Sequence, residues 1–176
     1  MLQILSSNLI TSDAQFGFKK GSSCTKAIYT LRSTAEYFIE NNSTVNLCSI
    51  DVSKAFDKTN NCVLLLKLLE KNVPQNFILM LYFWFDKIFI MVKWKSTCSY
   101  RVKLSAGIRQ GGILSPYLFS VFVGRMLIKL KKSKLGCHIS GQCLNAIMFA
   151  DDVLLMSITL RDLQKIINLC FEALKN

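Results

Sequence analysis

The pair Asp151-Asp152 constrains this chain more than any other feature, because it stands between two apolar runs, Leu144 to Phe149 and Val153 to Met156. Short apolar runs joined by polar residues read as the strands of a hairpin, here turning at Ala150-Asp151-Asp152. Neighbouring ionised acids between hydrophobic strands repel each other and lose hydration, which is unfavourable unless a cation or hydrogen-bond donors compensate. A divalent metal would supply that compensation. The plainer alternative is a turn, where Asp is a common residue in its own right.

A second acid bears on the choice. Asp51 closes the apolar run Val45 to Ile50, a hundred positions before Asp151, and is followed by Val52-Ser53-Lys54-Ala55-Phe56-Asp57. If the strands ending at Asp51 and Asp151 are neighbours in one sheet, their carboxylates can converge on a pair of metal ions, the arrangement that serves in-line displacement at phosphorus. Hard oxygen ligands suit Mg²⁺ or Mn²⁺. Asp51 alone is open to another reading, because an Asp between a strand and a helix can simply be an N-cap.

The 176 residues, 51% of them hydrophobic, are enough for one domain with its own core and exclude a disordered tail. The net charge of +11, from 22 basic and 11 acidic residues, fits a polyanionic partner or an anionic membrane surface. Surface solubilisation alone could also account for it. The basic residues gather at Lys19-Lys20, from Lys93 to Arg109 and from Lys129 to Lys134, some alternating with aromatic or apolar neighbours as a nucleic-acid groove requires. Seven cysteines form no Cys-x-x-Cys pair and His138 is the one histidine, which argues against zinc. Their odd number and the lack of a secretory signal at Met1 predict free thiols in a reducing compartment, hence an intracellular protein. The stretch Phe77 to Phe85 is too short to span a bilayer, and no membrane association is expected.

Periodicity predicts a helix opened by Gly21-Ser22-Ser23 and ending near Asn41-Asn42, a buried strand from Val45 to Asp51, a helix through Leu64 to Leu69 that stops before Pro74, and another over Gln75 to Phe85. A hairpin around Ser96-Thr97-Cys98 follows, with strands Phe89 to Lys95 and Ser99 to Leu104. Ser115-Pro116 then reads as an N-cap and first helical residue of a helix reaching Lys132. After the Asp151-Asp152 hairpin comes a final amphipathic helix, Leu160 to Leu174. The order predicts an α+β domain, a mostly antiparallel sheet with helices on one face. Before Ser115 lies the loop Gly107-Ile108-Arg109-Gln110-Gly111-Gly112, where glycines allow close backbone approach, Arg109 offers phosphate donors and Gln110 an amide. It could equally be an ordinary turn before a cap.

Taken together, Asp51 to Asp57, Gly107 to Pro116 and Phe149 to Asp152, preceded by Gln15 to Thr25, resemble the palm of reverse transcriptases, most closely those of non-LTR (LINE-type) retrotransposons. Gln15-Phe16-Gly17-Phe18 resembles the entry into palm and fingers, Asp51-Val52 opens the first catalytic motif, Gly107 to Pro116 is similar to the template- and nucleotide-positioning motif, and Phe149-Ala150-Asp151-Asp152 matches the aromatic-x-Asp-Asp signature. The resemblance implies a single palm domain over 1–176, with 1–44 a helical part next to the fingers and 45–176 the catalytic palm. It implies partial fingers and no thumb. It further implies an RNA-directed DNA polymerase that transfers a nucleotide from dNTP to a primer 3′-hydroxyl, with RNA template and DNA primer as partners and two Mg²⁺ or Mn²⁺ ions as cofactors.

Carried over residue by residue, Asp51 and Asp151 would hold the metals, with Asp152 a weaker acid and the Val52 carbonyl a backbone ligand. Phe56 matches the steric gate against a ribose 2′-hydroxyl, and Arg109, Gln110 and Gly111 would line the nucleotide or template. A retroelement protein of this kind is expected in the nucleus or cytoplasm. The chain departs from the family where Asn60-Asn61 replaces the common Asn-His and Gly124-Arg125 replaces acidic residues. It also begins after the basic fingers motifs and ends before the thumb, so poor primer extension by this chain alone is expected. A non-catalytic nucleic-acid-binding remnant stays open as an alternative. A palm that makes RNA fits less well, because Phe56 would exclude the ribose.

Overall fold

The computed structural model describes residues 12–19, 21–52, 59–104, 106–108 and 111–175. These fall into two compact units, one drawn from 59–119 and the other from 12–52 and 120–175.

The second unit carries the apolar strands. Helix α1 (Cys24–Glu40) starts where Ser23 Oγ accepts from the Lys26 amide at 3.2 Å, as the Gly-Ser-Ser sequence predicts. Strand β1 (Asn46–Asp51) pairs antiparallel with the strand Asp152–Ser157, which pairs in turn with Ala146–Phe149. The sheet order places Asp152–Ser157 in the centre, with Val153, Leu155 and Met156 fully buried. Strand β1 is not buried as expected. It alternates half-buried with exposed residues, because it forms one side of this sheet and its Leu47, Ser49 and Asp51 face outward. On the sheet, Ala27 and Phe38 of α1 form a core with Ile147, Met156 and Cys137. The last helix of the chain, Leu160–Lys175, packs against the two strands Asn46–Asp51 and Asp152–Ser157 and buries Leu163, Ile166, Cys170 and Ala173, the stripe its periodicity predicts.

In the first unit, α2 (Asn61–Glu70) is capped by Asn60 Oδ1, which accepts from the Cys62 and Val63 amides at 2.9 and 3.3 Å. Helix α3 (Gln75–Asp86) buries Phe77, Ile78, Leu81 and Phe85 but leaves Tyr82 and Phe83 exposed, so it is a one-sided helix and not a wholly buried one. A ribbon follows, built of β2 (Phe89–Ile90), β3 (Lys93–Trp94), β4 (Thr97–Cys98) and β5 (Val102–Lys103). Its tip is Lys95-Ser96, between the paired Trp94 and Thr97 and one residue earlier than the sequence suggests, with Lys95 in the left-handed conformation (φ 51°).

Helix α4 (Ser115–Ser133) comes next in the chain. It is followed by a hairpin whose second strand runs into the next apolar run of the sequence, β6 (Cys137–Ile139) and β7 (Gln142–Leu144). Ser140-Gly141 turns it with φ 49° and 77°, both positive as a type I′ turn requires. The chain then continues as β8 (Ala146–Phe149), β9 (Asp152–Ser157) and α5 (Leu160–Lys175). Mixed helices and antiparallel sheets make this an α+β fold.

Candidate active site

Strands β8 and β9 pair with Phe149 opposite Asp152 and Met148 opposite Val153, so the chain reverses through Ala150-Asp151 between the two apolar runs, and Asp152 is the first residue of β9 and not part of the turn as the sequence suggests. Ala150 takes a left-handed φ of 54°, a conformation that costs an alanine about 1–2 kcal/mol. Strain of this kind persists only where the surroundings impose it.

Those surroundings are the segment Ala14 to Gly17. Gln15 forms a parallel bridge with Met148, the Phe16 amide donates to the Met148 carbonyl at 2.8 Å, and the Met148 amide donates to the Ala14 carbonyl at 2.8 Å. The segment therefore runs along the free edge of β8. It is tied down further by Gln15 Nε2, which donates to Ser120 Oγ at 2.6 Å inside the core. Gly17 then meets the turn itself: a Cβ added there would lie 2.4 Å from the Ala150 nitrogen and 3.3 Å from the Phe149 carbonyl carbon. Only a glycine permits this approach. Nothing in the sequence of Gln15 to Gly17 shows that they lie beside the turn.

Asp51 is brought to the same place from the other side of the sheet. Its cross-strand partner is Asp152, and the Val52 amide donates to the Asp151 carbonyl at 3.0 Å. Residues directly opposite in an antiparallel pair present their side chains on one face, roughly 5 Å apart at Cβ. Two like charges so placed oppose the pairing unless something positive lies between or near them. Both residues are exposed at the sheet end, and Val52 is buried.

The chemistry on offer is the two carboxylates of the cross-strand partners Asp51 and Asp152 and a third acid, Asp151, in the adjoining turn. It fits Mg²⁺ or Mn²⁺, ions that accept one or two protein carboxylates and leave their other positions to water and phosphate oxygens. The three side chains are not drawn together into a ready-made site: among the described residues no group of three or more His, Cys, Asp or Glu side chains is arranged to hold a metal. Thiols offer no competing site. Burial pushes Cys137 and Cys170 up to about 11, the former aided by nearby Cys143, so both stay protonated at neutral pH as core residues.

In the first unit, Gly111 has a φ of 77° and open space where a Cβ would stand, so glycine is there for its backbone conformation and not for packing. Nearby, the Gly107 amide donates to the Thr59 carbonyl at 2.9 Å and Ile108 is buried. Phe56, Arg109 and Gln110 lie outside the described residues.

A family profile described as reverse transcriptase (RNA-dependent DNA polymerase) matches residues 1–176. Among curated proteins, the chain is 29% identical over 119 residues to a probable RNA-directed DNA polymerase from transposon BS of Drosophila melanogaster, covering 68% of this chain and 13% of that protein. It is 31% identical over 118 residues to the Pol polyprotein of a type-1 retrotransposable element R2 of Nasonia vitripennis, covering 65% and 11%. It is 30% identical over 113 residues to the RNA-directed DNA polymerase of the mobile element jockey of Drosophila funebris, covering 64% and 12%. These matches thus span about an eighth of the relatives' length. In fold, it is similar to apo telomerase from Candida tropicalis, truncated from its C-terminal domain, with a TM-score of 0.63 at 14% identity over 96% of this chain and 35% of that one.

Proposed function

The chain belongs to the reverse transcriptase (RNA-dependent DNA polymerase) family, and from that membership we propose that residues 1–176 form one palm-centred domain of an RNA-directed DNA polymerase of the non-LTR retrotransposon kind. The observation that supports the reading is the placement of Asp51 opposite Asp152 across β1 and β9, with the backbone of the Asp151 turn held to the end of β1 by the Val52 amide. In this reading Asp51 and Asp151 hold two divalent ions, the Val52 carbonyl adds a backbone ligand, and Asp152 supports them as a weaker acid. When bound, such ions lower the pKa of the primer 3′-hydroxyl and neutralise charge on the leaving pyrophosphate.

The chain's own residues do the positioning. Gly17 and the Ala14 to Phe16 edge hold the Ala150-Asp151 turn against the end of β1, which sets the separation between the acids before any ligand arrives. Gly111, with Arg109 and Gln110, lines the nucleotide or the template, where a residue without Cβ lets backbone reach phosphate or base. Phe56 excludes a ribose 2′-hydroxyl by contact. The template is RNA, the primer DNA and the substrate dNTP.

The test is primer extension on oligo(dT)-primed RNA by a chimaera in which this chain replaces the matching segment of the jockey polymerase. Extension with Mg²⁺ or Mn²⁺ is expected. Within that chimaera Phe56→Val should raise ribonucleotide incorporation relative to deoxynucleotide by about tenfold or more, about 1.4 kcal/mol of lost steric discrimination, without abolishing extension. Unchanged discrimination between the two sugars would make Phe56 a packing residue only.

A further inference from the structure

We propose that the ribbon from Phe89 to Lys103 is a docking surface for single-stranded RNA, with Trp94 and Tyr100 as stacking platforms; the choice of RNA over DNA rests on the polymerase reading, while the surface itself rests on the following observations. Every residue from Phe89 to Lys103 is exposed, so this two-stranded ribbon has no buried face. A lone hairpin is marginal in water, and one carrying Phe89, Ile90, Val92, Trp94 and Tyr100 in the open exposes apolar area of the kind that marks an interaction site.

The ladder contains a bulge. Ile90 pairs with Val102 and Lys93 with Cys98, so Met91 and Val92 on one strand stand against Ser99, Tyr100 and Arg101 on the other. Ser99 is matched to Val92, its amide donating to the Val92 carbonyl at 2.9 Å and its hydroxyl accepting from the Val92 amide at 2.9 Å. Tyr100 and Arg101 therefore oppose Met91 alone, the two-against-one count of a β-bulge. The consequence is a Tyr100 ring 95% exposed, with Trp94 near the tip at 75%. Aromatic rings this open have faces available for stacking, and stacking accepts any base.

Charge selects the partner. Between Lys87 and Lys103 the chain has five cations and no acid. Lys103 pairs with Asp86 of α3, and three of the others stand next to aromatics: Lys93 and Lys95 flank Trp94, and Arg101 follows Tyr100. A second copy of this chain would bring like charges together, which opposes self-association through the ribbon. A single strand supplies phosphates for the cations and bases for the rings at once.

The test uses the full chain and a fluorescein-labelled 20-nucleotide oligo(U), with the same-length DNA and an RNA duplex as comparators. Trp94→Ala and Tyr100→Ala should each weaken oligo(U) binding about tenfold, and both positions are too exposed for these changes to disturb folding. The triple variant Lys93→Gln, Lys95→Gln, Arg101→Gln should reduce the slope of log affinity against log salt by about 2, since each single-strand phosphate contact contributes about 0.7. In a Trp84→Phe background, Trp94 is the one remaining tryptophan and its emission should be quenched by oligo(U). Wild-type binding that all three variants retain unchanged would overturn the ribbon proposal and leave the polymerase reading standing. Equal loss for DNA and RNA would keep the surface and remove the RNA preference. Ribbon-dependent self-association or binding to anionic vesicles, with no effect of the variants on oligo(U), would assign the surface to a different partner and overturn the proposal.

Discussion

Asp151→Asn in the jockey chimaera is expected to lower the rate of primer extension by about a thousandfold, with binding of the primer–template retained. Each tenfold loss corresponds to about 1.4 kcal/mol of transition-state stabilisation, and a carboxylate that holds an ion on a transferring phosphoryl group is worth several kcal/mol. The amide keeps the size and one carbonyl oxygen, so folding of the turn should survive while the negative charge is lost. Asp51→Asn should match it. Asp152→Asn should cost less, about ten- to a hundredfold, as removal of a supporting group around a metal site does. The order discriminates between readings, because Asp152 is the cross-strand partner of Asp51 while Asp151 lies in the turn. If Asp152→Asn proved the most damaging, the primary ligand would be the strand residue and not the turn residue. Wild-type rates for all three variants would leave the chain a nucleic-acid-binding remnant.

The second large effect concerns Gly17. Gly17→Ala should lower stability by about 1–3 kcal/mol, because its methyl would meet the backbone of Ala150 at 2.4 Å and backbone cannot rotate away as a side chain can. For a chain of this length that is roughly 3–10 °C in Tm. Gly124 provides the contrast. It lies within α4 with nothing within 4 Å of its added Cβ, so Gly124→Ala should stabilise by about 0.5–1 kcal/mol through helix propensity. Thermal unfolding of the two variants beside wild type checks both signs, and a Gly17→Ala chain as stable as wild type would mean that the turn does not rest on this segment.

Much of the fold is legible before any coordinates. The Asp151-Asp152 hairpin, the caps at Ser23 and Asn60 and the amphipathic stripe of α5 follow from local chemistry: alternating or periodic apolar residues, a side-chain oxygen ahead of a helix, a polar pair between strands. The β6–β7 hairpin was legible too, in Ser140-Gly141, but its strands are three residues each and merged with the apolar run beyond. Other features belong to tertiary placement. That β1 forms one side of the sheet, so that half of it is exposed, depends on the strand order and not on its apolar composition. The role of Gly17 is invisible for the same reason, since it comes from contact with a turn more than 130 positions away. The bulge at Tyr100-Arg101 needs the register of both halves of the ribbon, which alternation alone does not determine.

We propose that the end of the β1–β9–β8 sheet is a divalent-metal site assembled by the pairing of Asp51 with Asp152 and the turn at Asp151. Mn²⁺ titration of this chain, followed by the loss of the free-ion electron paramagnetic resonance signal, tests it without requiring turnover. Saturable binding is expected that Asp51→Asn and Asp151→Asn each weaken about tenfold or more, and that Mg²⁺ competes away. Binding of equal strength in wild type and in the Asp51→Asn, Asp151→Asn double variant would contradict it.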